Sequence, residues 1–214
     1  MFYIIIIRAH NEQDNIRYVI EKLYSNSLPL AVLDSASTDK TSEYAASLHV
    51  QVVKAPLGLG AATVHGLTFF KNFPILFIDG DLTYIDTSAV SVLHSAAENG
   101  FVGKGVFDKP GRSSSVLKDL AKECGVTLPE VPAQALTSAY SAYPPFFADK
   151  VDLSRVPLSR GSDLTLSLLA CKEGIDTVLV PIGKRLHNTK RGESHISNLI
   201  ESNRKALLNW AKIS

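Results

Sequence analysis

The stretch FYIIII, Phe2 to Ile7, limits the choice of fold more than any other feature of this chain. It is wholly apolar and rich in β-branched side chains, so as a strand it offers apolar groups to both faces. Such a strand needs cover above and below, which points to the interior of a parallel sheet. The following segments supply the cover. Asn11 is placed to cap a helix, with Asp14 at the reciprocal position. That helix puts Ile16, Val19, Ile20 and Leu23 on one face. LAVLD, VQVVK and PILFID read as further strands, separated by helical patterns after SASTDKT and within GLGAATVHGLTFF, with TSAVSVLHSAAE as the next helix. The fold class is α/β, a three-layer α/β/α sandwich with a mostly parallel central sheet.

The alternation weakens after Phe101. FVGKGVFD reads as a strand, and a helix runs through Leu117, Leu120 and Ala121. The segment from Gly125 to Phe147 holds four prolines and little periodicity, and is expected to be an active-site loop. SDLTLSLLACKEG is a helix and DTVLVPI a strand. In the tail, Ile196, Leu199, Ile200, Leu207 and Trp210 share a helical face that docks on the domain or on a second subunit, leaving a homodimer open.

The chain's 214 residues suit a single domain. A net charge of +1 gives no bulk attraction to nucleic acid or to an anionic membrane. No apolar run approaches the ~20 residues of a membrane span, and MFYIIIIRAHNE lacks the basic start and cleavage site of a leader. Cys124 and Cys171 lack metal-ligand spacing and read as reduced, which suggests the cytoplasm.

Ligands of such sheets bind at the carboxyl ends of the strands. Asp34, Gly58, Asp79 and Asp81 all fall at that edge. ILFIDGDLTYID drives an apolar strand into two aspartates flanking Gly80. Three readings stand. The pair can be a solvated turn. It can hold a hard divalent cation, Mg²⁺ or Mn²⁺, that bridges protein to a diphosphate. Or Asp79 can be the nucleophile of a D-x-D-x-T phosphotransfer motif ending at Thr83, as in haloacid-dehalogenase-like phosphatases. That last motif is expected on a first strand with a later acidic pair, whereas three strand–helix units precede it here and no G-D-x-x-x-D-like segment follows. A nucleotidyltransferase would carry a glycine-rich loop after the first strand, and IIRAHNEQ has no glycine.

AHNEQDNI, VLDSASTDKT, PLGLGAA and LFIDGDL, between Tyr3 and Asp86, resemble in order and spacing the A-x-N-E-E, V-x-D-x-G-S-x-D-x-T, G-x-G-x-A and h-h-D-x-D-L segments of GT-A nucleotide-diphospho-sugar glycosyltransferases. GKGVFDKPGRSSSVLKDL, QALTSAY, GSDLTLSLL and KRLHNTKRG are similar to segments of the glucosyl-phosphoglycerate synthase type.

The resemblance implies a metal-dependent hexosyltransferase of retaining type, moving sugar from a nucleotide-diphospho-sugar to a small, phosphorylated acceptor. It implies a nucleotide-sugar half over 1–100, an acceptor half over 101–192 and a C-terminal helix over 193–214. On the donor side it implies Glu12 and Asp34 at ribose and base, Gly58, Gly60 and Gly80 along the donor, Asp79 near the ribose, and Asp81 with His187 on the metal. On the acceptor side it implies Asp163 near the acceptor hydroxyl, as the base if the enzyme inverts, and Arg112, Ser114, Lys104 and Tyr140 around the acceptor.

Three positions depart from the pattern. Leu59 stands where G-K-G has lysine, Ser138-Ala139-Tyr140 where G-E-Y has glutamate, and Asp163 is one methylene shorter than the family's glutamate. A binding protein that has lost transfer is the reading these departures leave open.

Overall fold

The structure is a computed structural model and describes residues 4–24, 29–108, 116–183 and 193–212. Strands β1 (Ile4–Ala9), β2 (Leu30–Ser35), β3 (Gln51–Ala55) and β4 (Ile75–Asp79) alternate with helices α1 (Ile16–Tyr24), α2 (Thr41–Ser47), α3 (Leu59–Phe69) and α4 (Thr87–Glu98). Then follow β5 (Val102–Val106), α5 (Leu117–Glu123), α6 (Ala133–Leu136), β6 (Tyr140–Tyr143), α7 (Phe147–Lys150), α8 (Ser162–Lys172), β7 (Thr177–Pro181) and α9 (Glu193–Ala211).

The strands form one seven-stranded sheet in the order β3-β2-β1-β4-β6-β5-β7. Only β6 runs antiparallel to its neighbours. β1 lies near the middle, and Ile5, Ile6 and Ile7 are fully buried. Burying each such side chain stabilises the fold by about 1.5–3 kcal/mol. Ile6, Leu33 and Phe77 pack on one face with α8 and α9, through Leu164, Leu168, Leu207 and Trp210. Ile5, Ile7, Val32 and Leu76 pack on the other with Ile16, Val19, Ile20 and Leu23 of α1 and with Val90 and Leu93 of α4. The expected three layers are present.

Three expectations are corrected in detail. β1 runs on through Arg8 and Ala9, so a charged residue ends a strand that looked wholly apolar. Asn11 does not cap α1. It takes a left-handed φ of 56°, its amide donates to Ser37 Oγ, and its side-chain oxygen accepts from the Thr38 amide at 2.8 Å. Asp39 accepts from the Gln13 amide, and Thr41 Oγ1 from the Glu12 amide. The loops after β1 and β2 are therefore knitted into one wall.

The third correction is β6, inside the segment expected to be a loop. Four residues show no usable period, yet Tyr140 and Tyr143 are buried, because β4 and β5 flank the strand that carries them on its two sides. Helix α9 docks on its own domain. Arg204 reaches Glu123 of α5 at 2.6 Å, and a Cβ on Gly161 would sit 3.1 Å from the Ser202 carbonyl. Among the described residues, no helix is long and apolar enough to cross a membrane.

Candidate active site

At the carboxyl edge of the parallel strands lies a cleft of about 400 Å³. Its floor is set by the β1–β4 pairing, which puts Arg8 opposite Asp79 in register. Gly80 turns the chain tightly there. Its amide donates to the Arg8 carbonyl at 2.9 Å, and a Cβ would lie 3.1 Å from that oxygen. The turn brings Asp81 into the lining, where it is only 4% exposed.

Arg8 organises the floor, and the sequence reading passed over it. Its Nε and Nη2 both donate to Asp79 Oδ1, at 3.0 and 2.6 Å. Its Nη1 donates to Asp163 Oδ1 at 2.8 Å and to Thr63 Oγ1 at 3.2 Å. One guanidinium thus ties β4, α3 and α8 together. Burial opposes its charge, but Asp163 and Asp79 outweigh burial and keep it charged. Burial pushes the Asp79 carboxyl up, Arg8 pulls it down, and Asp81 and Asp163 push it up again. A charge at the end of an apolar strand was the signal for Arg8: such a group survives burial only when paired.

Of the expected residues, Glu12, Gly58, Asp79, Gly80, Asp81 and Asp163 line the cleft. Asp34 does not; Ser35 lines it instead. Asp34 is fully buried, accepting from the Ser37 amide at 3.0 Å, Ser42 Oγ at 2.5 Å and Lys54 Nζ at 2.6 Å. Burial pushes its carboxyl up, but these donors outweigh burial and bring it to about 2. Gly60 sits behind the lining. Its amide donates to the Ser159 carbonyl, and a Cβ would lie 1.7 Å from the Pro157 carbonyl. This glycine is required for close packing of α3 on the 157–159 segment.

Lys104 and Tyr140 also lie off the cleft. Lys104 is 1% exposed, and its ammonium donates to Ser141 Oγ at 2.9 Å and Tyr143 Oη at 3.0 Å. Burial lowers its pKa to about 8, against the pull of Asp163. Tyr140 Oη reaches the Tyr84 carbonyl at 3.4 Å, away from the lining. Arg112, Ser114 and His187 fall outside the described residues.

The lining adds residues that the sequence reading did not single out, among them His10, Arg160 and Asn203. His10 Nδ1 lies 2.7 Å from the Ser35 carbonyl, which can only accept, so this nitrogen carries the proton. In all, four carboxylates (Glu12, Asp79, Asp81 and Asp163) face two guanidinium groups (Arg8 and Arg160). Among the described residues, no three His, Cys, Asp or Glu side chains cluster as a metal site. The excess negative charge and the hard oxygen donors nonetheless fit a divalent cation.

Residues 4–119 match the family model for glycosyl transferase family 2. The chain belongs to that family. No curated protein matches this glycosyltransferase. Its fold is similar to crystal structures of glucosyl-3-phosphoglycerate synthase from Mycobacterium tuberculosis. The complex with phosphoglyceric acid is 22% identical with a TM-score of 0.82, and the match covers 100% of this chain and 81% of that one. The complex with Mn²⁺, UDP-glucose and phosphoglyceric acid is 22% identical with a TM-score of 0.81, covering 100% and 80%. The complex with UDP is 21% identical with a TM-score of 0.80, covering 100% and 81%. These matches establish the GT-A fold for this glycosyltransferase.

Proposed function

We propose that this glycosyltransferase moves a hexose from a nucleotide-diphospho-sugar to a small phosphorylated acceptor, with a divalent cation, Mn²⁺ or Mg²⁺, at the donor. The observation that carries this reading is the convergence of Glu12, Asp79, Asp81 and Asp163 on one cleft at the carboxyl edge of the sheet. One of the solved structures named above holds Mn²⁺, UDP-glucose and phosphoglyceric acid together, which supports the choice of donor, metal and acceptor class.

Asp81 would hold the cation, with His187 as its expected second ligand. When bound, the cation would offset the charge that builds on the diphosphate as the glycosidic bond breaks. Glu12 and Asp79 accept from hydroxyls of the donor. The two Arg8 bonds to Asp79 Oδ1 fix the carboxylate's direction. Asp163 is held by one Arg8 bond to its Oδ1 and orients the acceptor hydroxyl. A retaining transfer needs no protein base, in keeping with this orienting role. The three strand–helix units that precede Asp79 argue against its use as a phosphatase nucleophile.

The test is a thermal-shift screen of UDP, GDP and their glucose and mannose conjugates, with Mn²⁺, Mg²⁺ or EDTA. A ligand at 100 times its Kd stabilises the native state by about 2.7 kcal/mol. Metal-dependent stabilisation by a nucleoside diphosphate is expected, followed by turnover of one sugar conjugate, with the product anomer read by NMR. Stabilisation indifferent to metal would sink the proposal. Binding without turnover of any donor would mark a nucleotide-sugar-binding protein instead.

A further inference from the structure

Helix α9 closes one wall of the cleft through Leu199 and Asn203. The helix is firmly held. Arg204 pairs with Glu123 of α5 at 2.6 Å, and Ala206 and Leu207 are buried. A Cβ on Gly161 would lie 3.1 Å from the Ser202 carbonyl and 3.2 Å from the Ala206 methyl. Gly161 immediately precedes α8, whose second residue is Asp163. Asn203, between those two α9 contacts in the chain, is therefore fixed at the Asp163 end of the cleft.

Asn203 is only 5% exposed. A buried amide is ordinarily satisfied by hydrogen bonds within the protein. Among the described residues, neither a backbone group nor a side chain hydrogen-bonds this one. Its nitrogen and oxygen are nonetheless not sealed inside the fold. The amide thus opens on the cleft that Asn203 lines.

The chemistry of this wall selects a ligand group. An amide donates and accepts without carrying charge, and a hydroxyl, which also does both, is its natural counterpart. Asp79 and Asp163 as carboxylates can only accept, so a hydroxyl that gives its proton to one of them needs a donor for its oxygen. The Asn203 NH₂ supplies that donor. Leu199, one turn earlier on the same face of α9, adds apolar surface beside the amide. Hydroxyls set around a ring with C–H faces are the pattern of a hexose.

We infer that Asn203 recognises the transferred hexose, its amide exchanging hydrogen bonds with ring hydroxyls. This rests on the proposed nucleotide-diphospho-sugar donor and makes the C-terminal helix part of the sugar-binding wall.

The experiment measures, by titration calorimetry with Mn²⁺, the Kd of UDP, GDP and their glucose and mannose conjugates on the wild-type chain and on Asn203→Ala. Losing neutral hydrogen bonds to the sugar is expected to weaken the bound conjugate about 3- to 10-fold. The matching nucleoside diphosphate should bind unchanged. A purely structural role would move diphosphate and conjugate together. Such a parallel loss, or no change in either, would overturn the role of Asn203 and leave the donor proposal standing. A wild-type chain that binds no conjugate would overturn both. If Asn203→Ala does not fold, Asn203→Ser takes its place: a conjugate-selective loss supports the role, and an unselective or absent one refutes it.

Discussion

Arg8 and Asp163 are 155 positions apart in the chain, and their side chains meet at 2.8 Å. Asp79, 71 positions from Arg8, is bound by the same guanidinium. The side chains of Arg8, Asp79 and Asp163 are 3%, 27% and 13% exposed, so the network is largely shielded from water. Removing its centre leaves Asp79 and Asp163 without the guanidinium that pairs with both.

Arg8→Met is therefore expected to destabilise the fold by about 3–5 kcal/mol at neutral pH, the usual cost of orphaning a buried charge. The Asp79 carboxyl, already raised by burial, would be raised further once Arg8 no longer pulls it down. The native state then binds more protons at Asp79 than the unfolded state, so the variant regains stability as pH falls through that raised value. Urea denaturation of both proteins at pH 7 and pH 5 checks this, with the deficit smaller at pH 5. Arg8→Lys should recover only part of the loss, because one ammonium cannot fork between two carboxylates.

Asp81→Asn should abolish the metal-dependent part of nucleoside-diphosphate binding. Titration calorimetry with Mn²⁺ should show affinity lower by about 10-fold or more. With EDTA, the variant and the wild type should bind alike. A variant that keeps its Mn²⁺ dependence would remove Asp81 from the metal site.

Lys104 bears on stability at alkaline pH. Burial lowers its pKa from 10.5 to about 8, so between those values the unfolded chain binds more protons than the native one. Stability should rise with pH across that window, by up to about 3 kcal/mol if the shift is fully expressed. Tyr140 and Tyr143 are raised by burial and act in the opposite direction at higher pH, so the rise is best read between pH 8 and 10. Lys104→Met should lack it. Denaturation midpoints across this range, compared between the two proteins, decide the matter.

Gly60→Ala tests the packing of α3 on the 157–159 segment. The new methyl would sit 1.7 Å from the Pro157 carbonyl and 2.8 Å from that of Ser159. Overpacking against backbone usually costs about 1–3 kcal/mol. A lower melting temperature is expected, read by thermal denaturation of the variant beside the wild type.

Much of the architecture was legible because its signals are local. The helix face of Ile16, Val19, Ile20 and Leu23 is buried as the spacing required. α4 spans Thr87–Glu98 as read, with Asp86 capping it through the Ser88 and Ala89 amides. β6 was not legible, because its strand character comes from β4 and β5 and not from its own four residues. The acidic turn after β4 was visible as a strand end. The arginine that orients it was not, since its partners come from β4, α3 and α8.

The amino-acid order alone was enough for the layered α/β fold, the sheet edge that carries the site and the family, because apolar periodicity and short motifs depend only on near neighbours in the chain. Packing alone decided which of those motif residues face the cleft. Asp34 and Asp81 both follow apolar strands, yet one is enclosed by Lys54, Ser42 and Ser37 while the other lines the cleft. Gly60 became a packing contact and Arg160 a wall of the site for the same reason. A side chain's surroundings are fixed by segments distant in sequence, and those segments meet only when the sheet, α3 and α8 close on one another.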